Sequence, residues 1–343
     1  MIEQSDSLGS LGLRQRDLQP DSLRPRYDVC ITVASWESRA TRAFEVLPPL
    51  QARWEVWRFA SADEDSRTAK LRCFEALKSL RTEALERVEL ASSLNYERNF
   101  ALIESRLRKA RIVAGRPLDV LLDVTCLPKK YILFFLGSAV RNEFIRSIDF
   151  VYAEGAYSPL PDEESHAALT WTGSEGEWSS VLVPYLEAEN YIPDARALVV
   201  ALGAEISASV PFIERFEPMQ IALISVDDDA QRINLESVEH ERRLLRDLED
   251  LPITELHTAD LADVLGVARI CQAFCIRHRD KAVTALAIGS KTHALALGLA
   301  ALSVANLEVV CRLPSRYLSG DVVATGRVFH YTVEDRFEPR FPD

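Results

Sequence analysis

The chain has 343 residues, 48% hydrophobic and 27% charged, with 40 Lys and Arg against 52 Asp and Glu and a formal charge of −12 at pH 7. That apolar share excludes wholesale disorder or a collagen-like chain, and the length suits two domains of ordinary size. The acidic balance excludes the wrapping of long duplex DNA, which needs a phosphate-neutralising basic surface.

No apolar run is long enough to span a bilayer, and the first twenty residues lack a signal peptide's apolar stretch. The expectation is a cytoplasmic protein with no membrane contact. Residues 1–25 mix charges with single leucines and read as a mobile polar arm. From Tyr27 the pattern changes. YDVCITVAS is a β-branched run that predicts a buried strand, ESRATRAFEVL has helical spacing, and Pro48-Pro49 stops it. WEVWRFA is the next strand, residues 63–83 a helix with Leu71, Phe74, Leu77 and Leu80 on one face, and RVELAS a short strand. The amphipathic segment 94–113 precedes PLDVLLDVT, the most hydrophobic strand of this half; KKYILFFLGSAVRN is the helix behind it, and SIDFVYAEG closes the set. Strands that are nearly continuous apolar runs, alternating with helices, predict a parallel sheet covered on both faces.

Residues 156–194 break the rhythm with a turn-rich stretch and are expected to be a linker with some hairpin structure, or a lid. The alternation then restarts. ARALVVALG, MQIALISVDD, ITELHTAD, VTALAIGS and LEVVCRLP read as strands; ISASVPFIERF, 229–250, 261–279 and KTHALALGLAALSVA read as helices; GRVFHYTVE is a last extended segment. The organisation expected is a half at 26–155, a second at 195–335 and a tail at 336–343.

The two halves match segment by segment. DVCITVASWESRATRAFEVLPPL aligns with RALVVALGAEISASVPFIERFEP, each a strand, a turn with an acid (Glu37 or Glu205) and a helix ending near proline. VLLDVTCLPKKYILFFLGSAV aligns with VTALAIGSKTHALALGLAALSV, each a strand, a small-polar turn with a lysine (Lys129 or Lys291) and an apolar helix. The fold class expected is therefore α/β, two Rossmann-like, doubly wound and mostly parallel halves related by an internal pseudo-two-fold duplication. Ligands of such sheets bind beyond the carboxyl ends of the strands. The duplication thus points to one composite cleft lined by the turns at 34–39, 123–130, 202–207 and 288–293.

In Gly289-Ser290-Lys291, glycine allows a tight strand-to-helix turn, serine can donate to phosphate, and the helix start supplies free N–H groups. A lysine at a helix start opposes that helix's dipole, so its placement makes sense beside a shared anion. An ordinary solvated turn is the plain alternative. Thr125 and Lys129 are the counterparts in the first half, where helix capping explains the residues equally well. Ser35, Glu37 and Arg39 follow the first strand and suit a ribose or phosphate, or a capping box. Gly203 and Glu205 occupy the equivalent turn of the second half. Arg316 and Tyr317 follow the last long strand, where arginine can hold a phosphate and tyrosine can stack on a base. The six histidines form no close pair, and Cys271 and Cys275 lack further ligands at metal spacing, so neither metal nor cofactor is expected. No catalytic residue stands out.

A strand, a polar turn, then a second strand with a Gly/Ser/Thr-Lys turn before an apolar helix resembles the CRISPR-associated Rossmann fold (CARF) family of prokaryotic antiviral defence. Gly289-Ser290-Lys291 matches that family's Gly-Thr-Lys turn, Thr125 to Lys129 matches it loosely, and Ser35–Arg39 corresponds to its first-strand loop. The resemblance implies binding of a nucleotide second messenger across a dimer interface, here replaced by two halves of one chain. Family members often carry a separate effector domain, whereas this chain spends its length on two sensor-like halves. It therefore implies a nucleotide-like ligand and a protein partner bearing the effector activity. The alternatives are a metal-independent phosphodiesterase resembling CARF ring nucleases, with Lys291 and Ser35 aiding an in-line attack, and a structural subunit of a defence complex.

Overall fold

The computed structural model describes residues 3–156, 174–189, 195–202, 209–226, 253–317 and 320–335. The expected helix at 229–250, the tail at 336–343 and the turn residues Gly203 and Glu205 lie outside the described residues. The fold is α/β, in two compact units: residues 1–156 with 319–343, and residues 157–318.

The first unit contains an eight-stranded sheet. Its parallel part is built from β3 (Arg26–Val33), β4 (Gln51–Phe59), β5 (Leu85–Leu90), β6 (Leu118–Asp123) and β7 (Ile145–Ala156). Their order is β5-β4-β3-β6-β7, so the direction of winding reverses between β3 and β6. Helices α1 (Arg42–Val46), α2 (Glu64–Ser79), α3 (Tyr96–Ala114) and α4 (Lys129–Arg141) make the connections. β6 is buried at every position, Asp119 and Asp123 included, and α4 from Lys130 to Ala139, which is why both are predominantly apolar.

The second unit repeats that strand order. β9 (Arg196–Ala201), β10 (Gln220–Val226), β11 (Ile253–Ala259), β12 (Ala282–Ala287) and β13 (Leu307–Tyr317) lie as β11-β10-β9-β12-β13, all parallel. Its described helices are α5 (Val210–Phe216), α6 (Val264–Arg277) and α7 (Lys291–Ser303). α7 is buried from Thr292 to Ala301, as expected of a helix apolar on all sides.

Three features depart from the sequence reading. Residues 4–17 are not an arm: β1 (Gln4–Leu8) and β2 (Leu11–Asp17) form a hairpin that joins the first unit's sheet, burying Leu8, Leu11 and Leu13. The single leucines in a polar stretch are the inward face of an alternating pair. The last extended segment, β14 (Val323–Asp335), belongs not with residues 195–317 but between β2 and β7 of the first unit, antiparallel to both. In the stretch expected as linker or lid, β8 (Ser174–Leu182) pairs antiparallel with β13 in the second unit. The parallel part of each sheet is thus bordered by an antiparallel strand that follows the other unit's last parallel strand in the chain.

β14 brings a buried polar cluster with it. His330 Nε2 meets Asp149 Oδ1 at 2.8 Å, Thr332 donates to the same oxygen at 2.6 Å, and Tyr27 donates to Oδ2 at 2.7 Å. Burial opposes ionisation of Asp149, but these hydrogen bonds outweigh it and hold the carboxyl below its ordinary range.

Candidate functional site

In each unit the carboxyl ends of the two strands flanking the reversal carry the loops that sequence reading selected. In the first unit these are the loops after β3 and β6. Asp123, the last residue of β6, organises both: Oδ2 accepts from Thr32 of β3 at 2.8 Å and Oδ1 from the Thr125 amide at 2.9 Å. Thr125 is buried, and its hydroxyl accepts the Ala153 amide of β7 at 2.9 Å. Lys129 is the first residue of α4, half-buried behind Pro128, whose fixed φ suits a helix start.

The loop after β3 turns inward. Ser35 is buried and its hydroxyl accepts the Glu37 amide at 3.4 Å. Arg39 is buried too: Nε donates to Glu37 at 2.6 Å, and a second nitrogen reaches Tyr152 OH at 3.4 Å and the Ala153 carbonyl at 3.5 Å. The Asp321 carboxylate accepts the Ser38 amide at 2.6 Å and the Val322 carbonyl accepts the Arg39 amide at 3.2 Å. Gly155 makes this possible, since a Cβ there would lie 2.4 Å from both the Arg39 guanidinium and Val322. The sequence places Arg39 at a ligand rim; the structure places it inside, with Glu37 as its counter-ion.

In the second unit, Gly289 closes the turn after β12. A Cβ there would lie 2.5 Å from the Leu202 carbonyl and 2.8 Å from that of Ala201, so the glycine permits close approach to the end of β9. Ser290 caps α7, accepting the His293 amide at 3.0 Å, and its hydroxyl lies 2.9 Å from that of Thr292. Lys291 follows, half-buried, at the same helix position as Lys129 in the first unit. Arg316 is exposed and Tyr317 half-buried, opposite Glu175 and Ser174 on β8. Because β13 is in register with the last residue of β12 at Cys311, both stand on an extension that rises past the carboxyl edge.

His293 is a core group. Its Nε2 is 3.1 Å from the Asp260 carbonyl, which can only accept, so Nδ1 is the unprotonated nitrogen. Burial holds its pKa below the ordinary histidine value.

Sequence reasoning missed the residues around the end of β4. Lys70 occupies the buried face of α2 with Ser66, Phe74 and Leu77, while Leu71 and Leu80 are exposed. Its ammonium donates to the Phe59 carbonyl at 2.8 Å and to Ser61 Oγ at 2.5 Å, and lies 4.9 Å from the centre of the Trp36 ring. The Lys130 ammonium, also buried, lies 5.3 Å from the Tyr96 ring and 5.4 Å from that of Tyr131. The signal available was the spacing of Lys70, four residues before Phe74. Among the described residues no group of three or more His, Cys, Asp or Glu side chains could hold a metal ion. No helix of the described residues is long and apolar enough to cross a membrane.

No family model and no curated protein matches the sequence. Among solved structures, a type III CRISPR defence DNA nuclease activated by cyclic oligoadenylate aligns with 83% of this chain at 11% identity and a TM-score of 0.49. A multidomain structure with the adenylation, ketoreductase and pseudo-Asub parts of a keto acid-selecting NRPS module aligns with 86% at 10% identity and a TM-score of 0.23. This chain spans 65% of the first structure's length and 31% of the second's. Similarity at this level assigns no activity to the chain, whose own geometry defines two α/β units with lysine-bearing loops at matching positions.

Proposed function

We propose that the protein is a CARF-type sensor of antiviral defence that binds a nucleotide-like or other phosphorylated small ligand and passes its bound state to a partner carrying the effector activity. The observation that carries this reading is the shared position of Lys129 and Lys291. Each opens the helix that follows the fourth strand of an identically ordered sheet, at the reversal point where doubly wound sheets take their ligands. In both places a cation sits against the positive end of a helix, an arrangement that a bound anion relieves.

In this reading Lys129, Lys291 and Ser290 hold phosphate groups, and Arg316 with Tyr317 reaches the sugar or base. Ser35, Arg39 and Thr125 shape the first unit's loops, with their side chains already engaged inside. The internal duplication is part of the proposal. Calorimetric titration with cyclic oligoadenylates, NAD derivatives and mononucleotides tests it. Binding that the Lys129→Ala/Lys291→Ala double variant loses by at least tenfold supports it, and wild-type affinity in that variant refutes it. Chromatography of the incubated ligand then separates a sensor, which returns it intact, from a ring-nuclease-like phosphodiesterase.

A further inference from the structure

We infer that the first unit carries a serine-nucleophile site for small carboxylic esters, in which Ser22 attacks, His330 takes its proton and Asp149 holds the imidazole. None of the three belongs to the loops of the proposed ligand site, so the inference goes beyond that reading and does not depend on it.

The two nitrogens of His330 face different partners. Nε2 meets the Asp149 carboxylate at 2.8 Å, and Nδ1 lies 3.2 Å from Ser22 Oγ. Asp149 is kept ionised by the hydrogen bonds it accepts, with the Arg24 guanidinium 3.5 Å from its other oxygen. An ionised carboxylate only accepts, so the ring proton sits on Nε2 and Nδ1 turns a lone pair to the serine. Orienting acid, base and nucleophile thus stand in the order of a hydrolytic triad, with the ring nitrogens exchanged. Asp149 and His330 are buried, whereas Ser22 is half-exposed and is the member a substrate reaches.

Ser22 ends the single helical turn Pro20–Ser22, and its hydroxyl donates to the Gln19 carbonyl at 2.6 Å. A hydroxyl hydrogen rotates about its C–O bond, so it passes from that carbonyl to Nδ1 with no heavy atom displaced. Arg16 Nη2 donates to the Ser22 carbonyl at 2.6 Å, and Arg16 Nε is 3.5 Å from His330 Nδ1. Its counter-ion Glu3, at 3.5 Å, is largely exposed, which leaves the guanidinium free to stabilise an oxyanion formed beside the serine. Arg16 pairs with His330 across β2 and β14, and the next pair on that face is Leu18 with Val328, whose carbonyl accepts the Leu18 amide at 2.8 Å. These two residues and Val46 of α1 line a cleft of about 260 Å³, suited to a short acyl chain. Gln19, whose backbone touches Ser22 Oγ, directly follows Leu18.

On attack, Oγ bonds to the ester carbonyl carbon while its proton moves to Nδ1. The tetrahedral intermediate collapses, the alcohol leaves with that proton, and the acyl group stays on Ser22. Water, deprotonated by the same nitrogen, then releases the carboxylic acid and restores the serine.

The experiment treats the full chain with a fluorophosphonate probe, from which an activated serine displaces fluoride, and maps the label by mass spectrometry. Hydrolysis of p-nitrophenyl butyrate is followed in parallel by absorbance. The expected result is a label on Ser22, with ester hydrolysis lost from the labelled chain and from Ser22→Ala. Asp149 is a positioning residue, so Asp149→Asn, and likewise His330→Gln, is expected to slow labelling about 100-fold or more in a chain that keeps its circular dichroism. Wild-type labelling in either folded variant overturns the inference, as does an unlabelled Ser22 at millimolar probe. Should the two buried variants fail to fold, Ser22→Ala at its half-exposed position decides: lost ester hydrolysis supports the site and unchanged hydrolysis refutes it.

Discussion

The two units share one strand order and have different interiors. The first buries Arg39, Glu55, Lys70, Asp123, Lys130 and Asp149 among its charged groups. In the second, the polar residues buried among those described are Ser209, Thr284, Thr292 and His293, with no Asp, Glu, Lys or Arg. Since the second unit reaches the same topology from Val, Leu, Ile and Ala, buried charge is not a requirement of this fold. It carries a desolvation penalty wherever it occurs, which the first unit offsets with hydrogen-bonded partners, Glu37 for Arg39 and His330 for Asp149.

That contrast can be broken most forcefully at Asp149. Replacing it by Ala strips His330, Thr332 and Tyr27 of a common acceptor, and urea unfolding should show a loss of about 3–5 kcal/mol. The carboxyl's depressed pKa gives the sign with pH: its stabilisation is complete above about 3.9 and disappears as pH falls through the lower folded value. An acid titration of wild type against Asp149→Asn checks this.

Steric closeness, not charge, is the weak point of the second unit. Gly289→Val drives a side chain into the Leu202 and Ala201 carbonyls and should cost about 3 kcal/mol, read as a lowered melting temperature. His293→Leu should change stability at pH 7 by no more than about 1 kcal/mol, because one hydrogen bond to Asp260 is exchanged for apolar burial. The folded chain resists protonation of His293, so wild type loses stability as pH falls below about 6.5, and the variant should show a shallower loss. The smallest effect is expected at Val113, 88% exposed at the end of α3, where Val113→Lys should stay within about 0.5 kcal/mol of wild type.

The central parallel strands were legible because they are mostly apolar and buried throughout, as in Ala282–Ala287. The starts of α4 and α7 were legible because Pro128 and Ser290 mark them. With strands and helices in place, the loops at the two reversal points followed. What failed was anything requiring a distant partner. Leu8, Leu11 and Leu13 look like isolated residues until β14 arrives beside β2, more than 300 residues further along the chain. Arg39 has the composition of a rim residue, and only the approach of Gly155 and Val322 reveals that its guanidinium is enclosed. Lys70 was passed over because Leu71 beside it satisfied the expected apolar stripe equally well.

The position of β14 also sets a schedule for biosynthesis. While the ribosome is still making residues 157–318, the first unit has its hairpin β1–β2 and its strand β7 but lacks the strand that joins them. The nascent chain must keep that gap open until β14 emerges, so a stop codon between β13 and β14 would spare the later-made sheet and leave the earlier one unclosed.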